Sequence, residues 1–432
     1  MTSIAPDVNA LERLDRRFQE RLAQVPVLRQ RAGEQGITAI RGREDMVPLL
    51  FPHTSYKSYP DGLINRGQWT QMCRWLDSLS TYRVDNVDLD SVTDVDSWID
   101  RLHAAGHLVS SSSGTTGKSS FLNKTKLDHE TSLTNLIECF VAVGLRPSKE
   151  WNVVPAGPET GIAFHNVVRQ LVIDEYGKPD ALTVPPAKEA TGHHSFMSRL
   201  TGMRRAIADG TASPDEVAAF EAEGAQRQAE MAERLAHFAD EIIKRRDEKF
   251  LFNSMFPQLW SLCQLLEERG VTPGELTGDN AMTSGGGLKG ASLPPDYQDR
   301  IFRLLNINPD RFVHYYSMQE LNVRMPKCPA AQRYHVPDSL ELFVLGRDGE
   351  NLAAVSDGQV EGRAAFFDTT VDGRWGGTIS GDKIIVDYCD CPCGRSGPTV
   401  LDSISRYADL GDGDKITCAG TMDAYVRGFI DE

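Results

Sequence analysis

The chain has no run approaching the ~20 consecutive apolar residues that a membrane-spanning helix needs. It also lacks a basic surplus: 46 Lys and Arg stand against 61 Asp and Glu, for a formal net charge of −15. Nucleic acids and anionic membranes attract proteins through an excess of Lys and Arg. Both partner classes are therefore excluded, and an anionic ligand has to be met by a local site. The opening residues Met1-Thr2-Ser3-Ile4-Ala5-Pro6-Asp7 show neither the basic stretch nor the apolar core of an export signal, so a cytoplasmic location is expected. There is no internal repeat, no heptad run, no Walker A loop and no Gly-x-Gly-x-x-Gly fingerprint. Cysteine is sparse, with eight in 432 residues. Its cluster at Cys389, Cys391 and Cys393 reads as metal or redox chemistry before disulfides in such a chain.

The chain does carry one dense polar loop, Ser110-Ser111-Ser112-Ser113-Gly114-Thr115-Thr116-Gly117-Lys118-Ser119-Ser120. Eight of these eleven residues bear hydroxyls, which together with bare backbone N–H groups and one cation suit a polyphosphate. Gly114 and Gly117 remove the Cβ that would hold the backbone away from an anion. A flexible Ser/Gly linker is the competing reading. Lys118 and the paired threonines speak against it, as does patterned sequence on both sides.

An apolar fraction of 40% and a charged fraction of 25% are ordinary for a globular protein, and the length predicts more than one unit. Leu11, Leu14, Phe18, Leu22 and Val25 mark one helix face over 8–35. Trp69, Met72, Leu76 and Leu79 mark a second helix, and Trp98 to Ala105 a third, stopped by Gly106. His107–Val109 reads as a strand feeding the loop, and Phe121-Leu122 leads out. Asp128 is placed to cap a helix running to Gly144. Asn152–Val154 reads as a strand, and this alternation predicts an α/β layered fold with mixed sheets flanked by helices. Residues 175–212 show no period. Ser213-Pro214-Asp215-Glu216 is a helix start, and the polar stretch to Lys249 reads as a long solvated helix. A second glycine loop, Thr283–Gly290, precedes a helix with Tyr297, Ile301, Leu304 and Leu305. Phe312–Tyr316 is a strand. The last third is β-rich, with strands at Leu340–Leu345, Ala364–Asp368 and Lys383–Asp387. The expected division is a helical part at 1–100, an α/β core at 101–330 with an insertion near 213–249, a β-rich subdomain at 331–405, and a hinge and remnant at 406–432.

Three stretches in fixed order, Ser112–Lys118, Tyr316-Ser317-Met318-Gln319-Glu320 and Ser380-Gly381-Asp382, resemble the adenylate-forming (acyl-/aryl-CoA synthetase) superfamily. The nearest look is to its phenylacetate-CoA ligase-like and acyl-protein synthetase-like branches, over roughly 100–420. The resemblance implies an ATP- and Mg²⁺-dependent ligase that activates a carboxylic acid, expected to be aromatic, as an acyl-adenylate and releases pyrophosphate. It implies that Ser112, Ser113, Gly114, Thr115, Thr116, Gly117 and Lys118 cradle the phosphates. Ser284, Gly285 and Gly286 would lie against adenine, with Tyr316 stacked on it. Glu320 would bind Mg²⁺, a hard ligand for a hard cation. Asp382 and Arg406 would hold ribose, and His165 would gate the acid pocket. Each residue taken singly has an ordinary structural reading as core, cap or surface carboxylate. Gln319 stands where the family has threonine near the α-phosphate; an amide can still donate there.

Cys328 and His335, with Cys391 and Cys393 some 60 residues on, can assemble a closed Cys₃His zinc site, leaving Cys389 as the spare. Some phenylacetate-CoA ligase-like proteins resemble this arrangement. Buried free thiols and a satisfied histidine are the competing reading. In the family a further domain of ~100 residues follows the hinge, whereas 26 residues follow Arg406 here. Lys415 then reads as hinge strand, and Cys418 as a strand residue or an acyl acceptor. The acceptor is left open among CoA, an amine and a carrier protein. A degenerate adenylate-binding scaffold and an acyl-protein synthetase using Cys418 are the alternatives.

Overall fold

The computed structural model describes residues 8–112, 118–157, 163–185, 203, 206–207, 209–277, 279–285, 288, 291–410 and 414. The chain divides into two compact units. The first joins Met1–Asn135 to Met318–Glu432, and the second is Leu136–Ser317.

The first unit packs its N-terminal helices on one face of a sheet. Val8–Gln24 buries Leu14 and Phe18 completely. The apolar stripe continues past it, but Val25 is extended and Pro26 opens a separate helix, Pro26–Gln35, so the periodic stretch at 8–35 is two helices. Gly36, at φ 65°, ends the second by a turn that a Cβ would strain. Trp69–Ser78 and Val95–Ala104 follow. Asp94 and Ser97 form a reciprocal capping box at the start of the latter. The helix Lys126–Ala142 starts two residues before Asp128. Its cap is Thr125, whose Oγ1 accepts from the Asp128 N–H at 3.2 Å while the Asp128 carboxylate accepts from the Thr125 N–H at 2.8 Å.

The sheet runs in the order Leu340–Leu345, Gln359–Asp368, Gly377–Asp387, Thr399–Leu401, Arg333–His335, all antiparallel. Phe51–Pro52 lies parallel to Thr378–Ile379, and Ser405–Arg406 antiparallel to Asp382–Lys383. Phe343, Leu345, Ala365, Phe367, Trp375 and Ile379 close the core with Phe18, Trp75, Trp98 and Phe121 from the helical part. The period-2 alternation of these strands supplies that buried face.

The second unit contains four parallel strands in spatial order: Asn152–Val154, Phe250–Asn253, Asn280–Gly285 and Ile307–Tyr316. Both faces are covered. Val153, Leu251, Ala281 and Val313 pack with Trp151 and Tyr176, while Val154, Phe250, Phe252 and Met282 pack with Phe238, Ile242, Leu259 and Leu262. Burial on both faces produces short continuous apolar runs in place of alternation. The helix Pro214–Lys244 begins with a Ser213–Glu216 capping box. Its first half is solvated as expected, but Leu235, Phe238, Ala239 and Ile242 make its last turns core. No helix among the described residues is long and apolar enough to cross a membrane.

Candidate functional site

The polar loop of the first unit rises from a short hairpin. Ser110 pairs with Leu122 and Ser111 with Phe121, one residue later than the strand expected at His107–Val109. Above this rung the Ser112 N–H donates to the Ser120 carbonyl at 3.1 Å, and the Ser112 hydroxyl accepts from the Ser120 N–H at 2.8 Å. Ser113, Gly114, Thr115, Thr116 and Gly117 lie outside the described residues. The exit strand is reached through Lys118, whose ammonium sits 4.0 Å from the centre of the Tyr59 ring and donates to the Tyr59 carbonyl. The Tyr59 hydroxyl in turn donates to the Ser119 carbonyl at 3.0 Å. Tyr59 thus seats the cation of the loop. No periodic signal in Tyr56–Pro60 pointed to it.

The segment after Tyr316 meets this hairpin. The Gln319 amide donates to the Ser111 carbonyl at 2.6 Å. The Glu320 carbonyl accepts from the Arg374 guanidinium at 2.7 Å, and the other end of that guanidinium reaches the Asn123 carbonyl at 3.5 Å. Arg374 is 1% exposed. It stands in a Gly-rich run, Asp372–Gly377, that no motif or period in the sequence singled out.

Asp382 and Arg406 are register partners on neighbouring strands, with the Arg406 Nε 3.7 Å from an Asp382 carboxylate oxygen. The short turn His53–Lys57 lies beside that strand. A Cβ on Gly381 would fall 3.3 Å from both the His53 ring and the Asp414 carboxylate, a tight fit that glycine relieves. Burial holds His53 below the ordinary imidazole range against the raising pull of Glu320 and the acids Asp414 and Asp382, leaving it neutral at neutral pH. Burial likewise lowers Lys57, opposed by Glu320 and assisted by Arg406.

Cys328, His335, Cys391 and Cys393 also come together in the first unit. Their ligand atoms all lie within 4.8 Å of one another. Cys328 Sγ and Cys391 Sγ are 3.9 Å apart, and Cys393 Sγ is 3.3 Å from His335 Nε2. A tetrahedral zinc with ~2.3 Å Zn–S bonds would place two sulfurs ~3.8 Å apart, so the donor set fits that ion in type and spacing. His335 is fixed by pairing with Thr399 across the sheet. Backbone donation from Arg395 lowers the Cys393 thiol, whereas burial raises that of Cys391. Cys389 is exposed and falls outside this group.

The second unit holds the remaining candidates. Ser284 and Gly285 end the strand Asn280–Gly285, in register with His314 and Tyr315 of the next. A Cβ on Gly285 would fall 2.7 Å from the Tyr315 hydroxyl, so it is the Tyr315 ring that covers this glycine. Tyr316 is the following residue on that strand and, by strand alternation, points to the opposite face. The Ser284 hydroxyl is buried and has no hydrogen-bond partner among the described residues. His165 is exposed on the helix Ala163–Tyr176. Gly286, Lys415 and Cys418 lie outside the described residues.

No protein-family model matches the chain, and no curated protein does. Among solved structures it is similar to ATP-bound MatB from Rhodopseudomonas palustris, with 15% identity and a TM-score of 0.38 over 68% of this chain and 46% of that one. It is also similar to an acyl-CoA synthetase (AMP-forming)/AMP-acid ligase II-like protein from Dyadobacter fermentans DSM 18053. There the identity is 12% and the TM-score 0.35, over 71% of this chain and 63% of that one. The chain thus spans under half the length of the first and under two thirds of the second.

In chemical terms, the first unit offers a hydroxyl-rich hairpin with a seated cation and a carboxylate segment bonded to that hairpin. It also carries an acid–arginine pair on a sheet edge and a compact thiol–imidazole cluster.

Proposed function

We propose that the protein activates a carboxylic acid with ATP, forming an acyl-adenylate and releasing pyrophosphate. The observation that carries this reading is the hydrogen bond from Gln319 to Ser111. It joins the polyphosphate-type loop to the carboxylate segment, two stretches 208 residues apart in sequence that the resemblance assigns to one ATP. In this reading a substrate carboxylate oxygen attacks the α-phosphorus in line. The bond from that phosphorus to the bridging oxygen breaks, and pyrophosphate leaves with the electron pair. The protein positions the reactants and stabilises charge, and forms no covalent intermediate. Lys118 exchanges the Tyr59 carbonyl for phosphate oxygens, and the hydroxyls of Ser112, Ser113, Thr115 and Thr116 follow the departing group. Glu320 would hold Mg²⁺, which supplies charge neutralisation on the phosphates. Asp382 accepts from the ribose hydroxyls with Arg406 beside it. Ser284, Gly285, Gly286 and Tyr316 serve adenine, and His165 the acid. Cys328, His335, Cys391 and Cys393 would hold a structural zinc that ties the segment 328–335 to the strand region 391–399. The acid is expected to be aromatic, and CoA, an amine or a carrier protein is the candidate acceptor.

The test is carboxylate-dependent ATP–pyrophosphate exchange over a panel of aromatic and fatty acids. We expect exchange in the wild type and a loss of at least about 100-fold in Glu320→Gln, in line with removal of a metal-held charge stabiliser. Absence of exchange across the panel by folded wild-type protein refutes the reading. Full activity in Glu320→Gln refutes the metal assignment.

A further inference from the structure

The Gln319 and Arg374 side chains bind the carboxylate segment to the phosphate hairpin. Gln319 takes the incoming strand, through the Ser111 carbonyl at 2.6 Å. Arg374 spans the Glu320 carbonyl at 2.7 Å and the Asn123 carbonyl at 3.5 Å, and so takes the outgoing strand. A third tie lies two residues beyond Glu320, where the Asn322 amide donates to Asp128 at 2.6 Å and the Asn322 N–H to Asp368 at 2.7 Å. In the first two ties every acceptor is a main-chain carbonyl. They therefore fix backbone to backbone and leave the Glu320 carboxylate uninvolved. The Gln319 amide turns its NH₂ to this contact, because the Ser111 carbonyl can only accept. The amide oxygen is buried and has no hydrogen-bond partner among the described residues. A glutamine that only lined an open pocket would not be committed in this way.

We infer that Gln319 and Arg374 are positioning residues that hold the phosphate hairpin and the Glu320 carboxylate as one rigid body, so that polyphosphate and Mg²⁺ are bound as a pair. This rests on the adenylation reading for the identity of the two ligands, but the strap itself does not. Where the family resemblance led us to expect the side chain at 319 to face the α-phosphate, the structure spends it on the loop. Its effect on the reaction would then pass through the placement of Glu320.

The experiment uses the full chain with Gln319→Met, which keeps length and volume without the donor, and Arg374→Lys, which can reach one of its two carbonyls but not both. Hydrogen–deuterium exchange of peptides covering 108–123 reads the strap directly. Half-saturating free Mg²⁺ in pyrophosphate exchange reads the positioning. We expect Gln319→Met to speed exchange in the hairpin by tenfold or more and to raise half-saturating Mg²⁺ at least fivefold. We expect Glu320→Gln to leave hairpin exchange unchanged, because the strap uses only its carbonyl. Arg374 is buried, and if Arg374→Lys does not fold, Gln319→Met decides alone. Wild-type hairpin protection in Gln319→Met overturns the strap. Lost protection with an unchanged Mg²⁺ requirement overturns the positioning role. A wild-type chain that exchanges no pyrophosphate refutes the adenylation reading and leaves the hairpin measurement to decide the strap.

Discussion

Replacing Asp128 by Asn tests how the first unit is held together. The Asp128 carboxylate is fully buried and accepts from the Thr125 N–H at 2.8 Å, the Thr125 hydroxyl at 3.3 Å and the Asn322 amide at 2.6 Å. It also accepts from the N–H groups of Asp372 at 2.8 Å and Gly373 at 2.9 Å. Burial alone would raise its pKa. The Arg374 guanidinium, the Asn322 amide and the backbone donors outweigh burial and hold it at about 2, against an ordinary 3.8. That depression corresponds to roughly 2–3 kcal/mol of stability. Because the folded-state pKa is depressed, that contribution is complete above about pH 4 and is lost as pH falls from there towards 2. An asparagine presents an NH₂ where two backbone N–H groups point and leaves Arg374 without its charge partner. Breaking a buried charge arrangement in this way costs roughly 3–5 kcal/mol. The assay is urea unfolding at pH 7 and pH 3 followed by tryptophan fluorescence, since Trp69, Trp75, Trp98 and Trp375 all report on this unit. The variant should lose about 3–5 kcal/mol at pH 7 and less at pH 3. A loss below about 1 kcal/mol at pH 7, or an unchanged acid dependence in the variant, refutes the reasoning.

Lys124 should show a pH dependence of the same sign in a higher pH window. Burial, reinforced by Arg374, lowers its amine to about 7 from an ordinary 10.5. The unfolded chain therefore binds more protons across that window, and wild-type stability should rise with pH through it. Lys124→Met should remove the rise, and equal urea midpoints for the wild type at pH 7 and 9.5 would contradict this. For the thiol–imidazole cluster, elemental analysis should find about one zinc per chain, as expected of a closed four-ligand site. Cys328→Ser or Cys391→Ser should reduce that content at least tenfold and lower Tm. A folded wild type holding under a tenth of an equivalent rules out the metal.

The helices of the first unit were legible mainly from their buried faces. Trp98 and Leu102 mark one and Gly106 follows its end, while its Asp94–Ser97 capping box puts the start three residues before the expected Trp98. The strand Leu340–Leu345 was legible with its bounds, whereas the expected Ala364–Asp368 is only the second half of the strand Gln359–Asp368. Phe250–Asn253 passed unnoticed because both of its faces are buried, and a four-residue apolar run shows no period to read. Asp128 was taken for a cap from its local setting, whereas its chemistry comes from Asn322 and from residues 372–373, far along the chain. Tyr59 escaped for the same reason: its partner Lys118 is 59 residues away. The Cys328, His335, Cys391 and Cys393 set was legible as a group because thiols and imidazole have few other reasons to cluster. Side chains that act through one distant contact leave no such mark.

The reach of Asp128 also sets an order of events during synthesis. The N–H groups of Asp372 and Gly373 that complete its shell are 244 and 245 residues downstream. At ~5–20 residues per second, translation would take roughly 12–50 s to supply them. By the end of that interval the whole of the second unit has been made, while the first has its helices but not the complete sheet that covers Trp75, Trp98 and Phe121. The nascent N-terminal segment is therefore the part most in need of shelter by a chaperone. A ribosome stalled near residue 317 would carry one finished fold and one exposed apolar half.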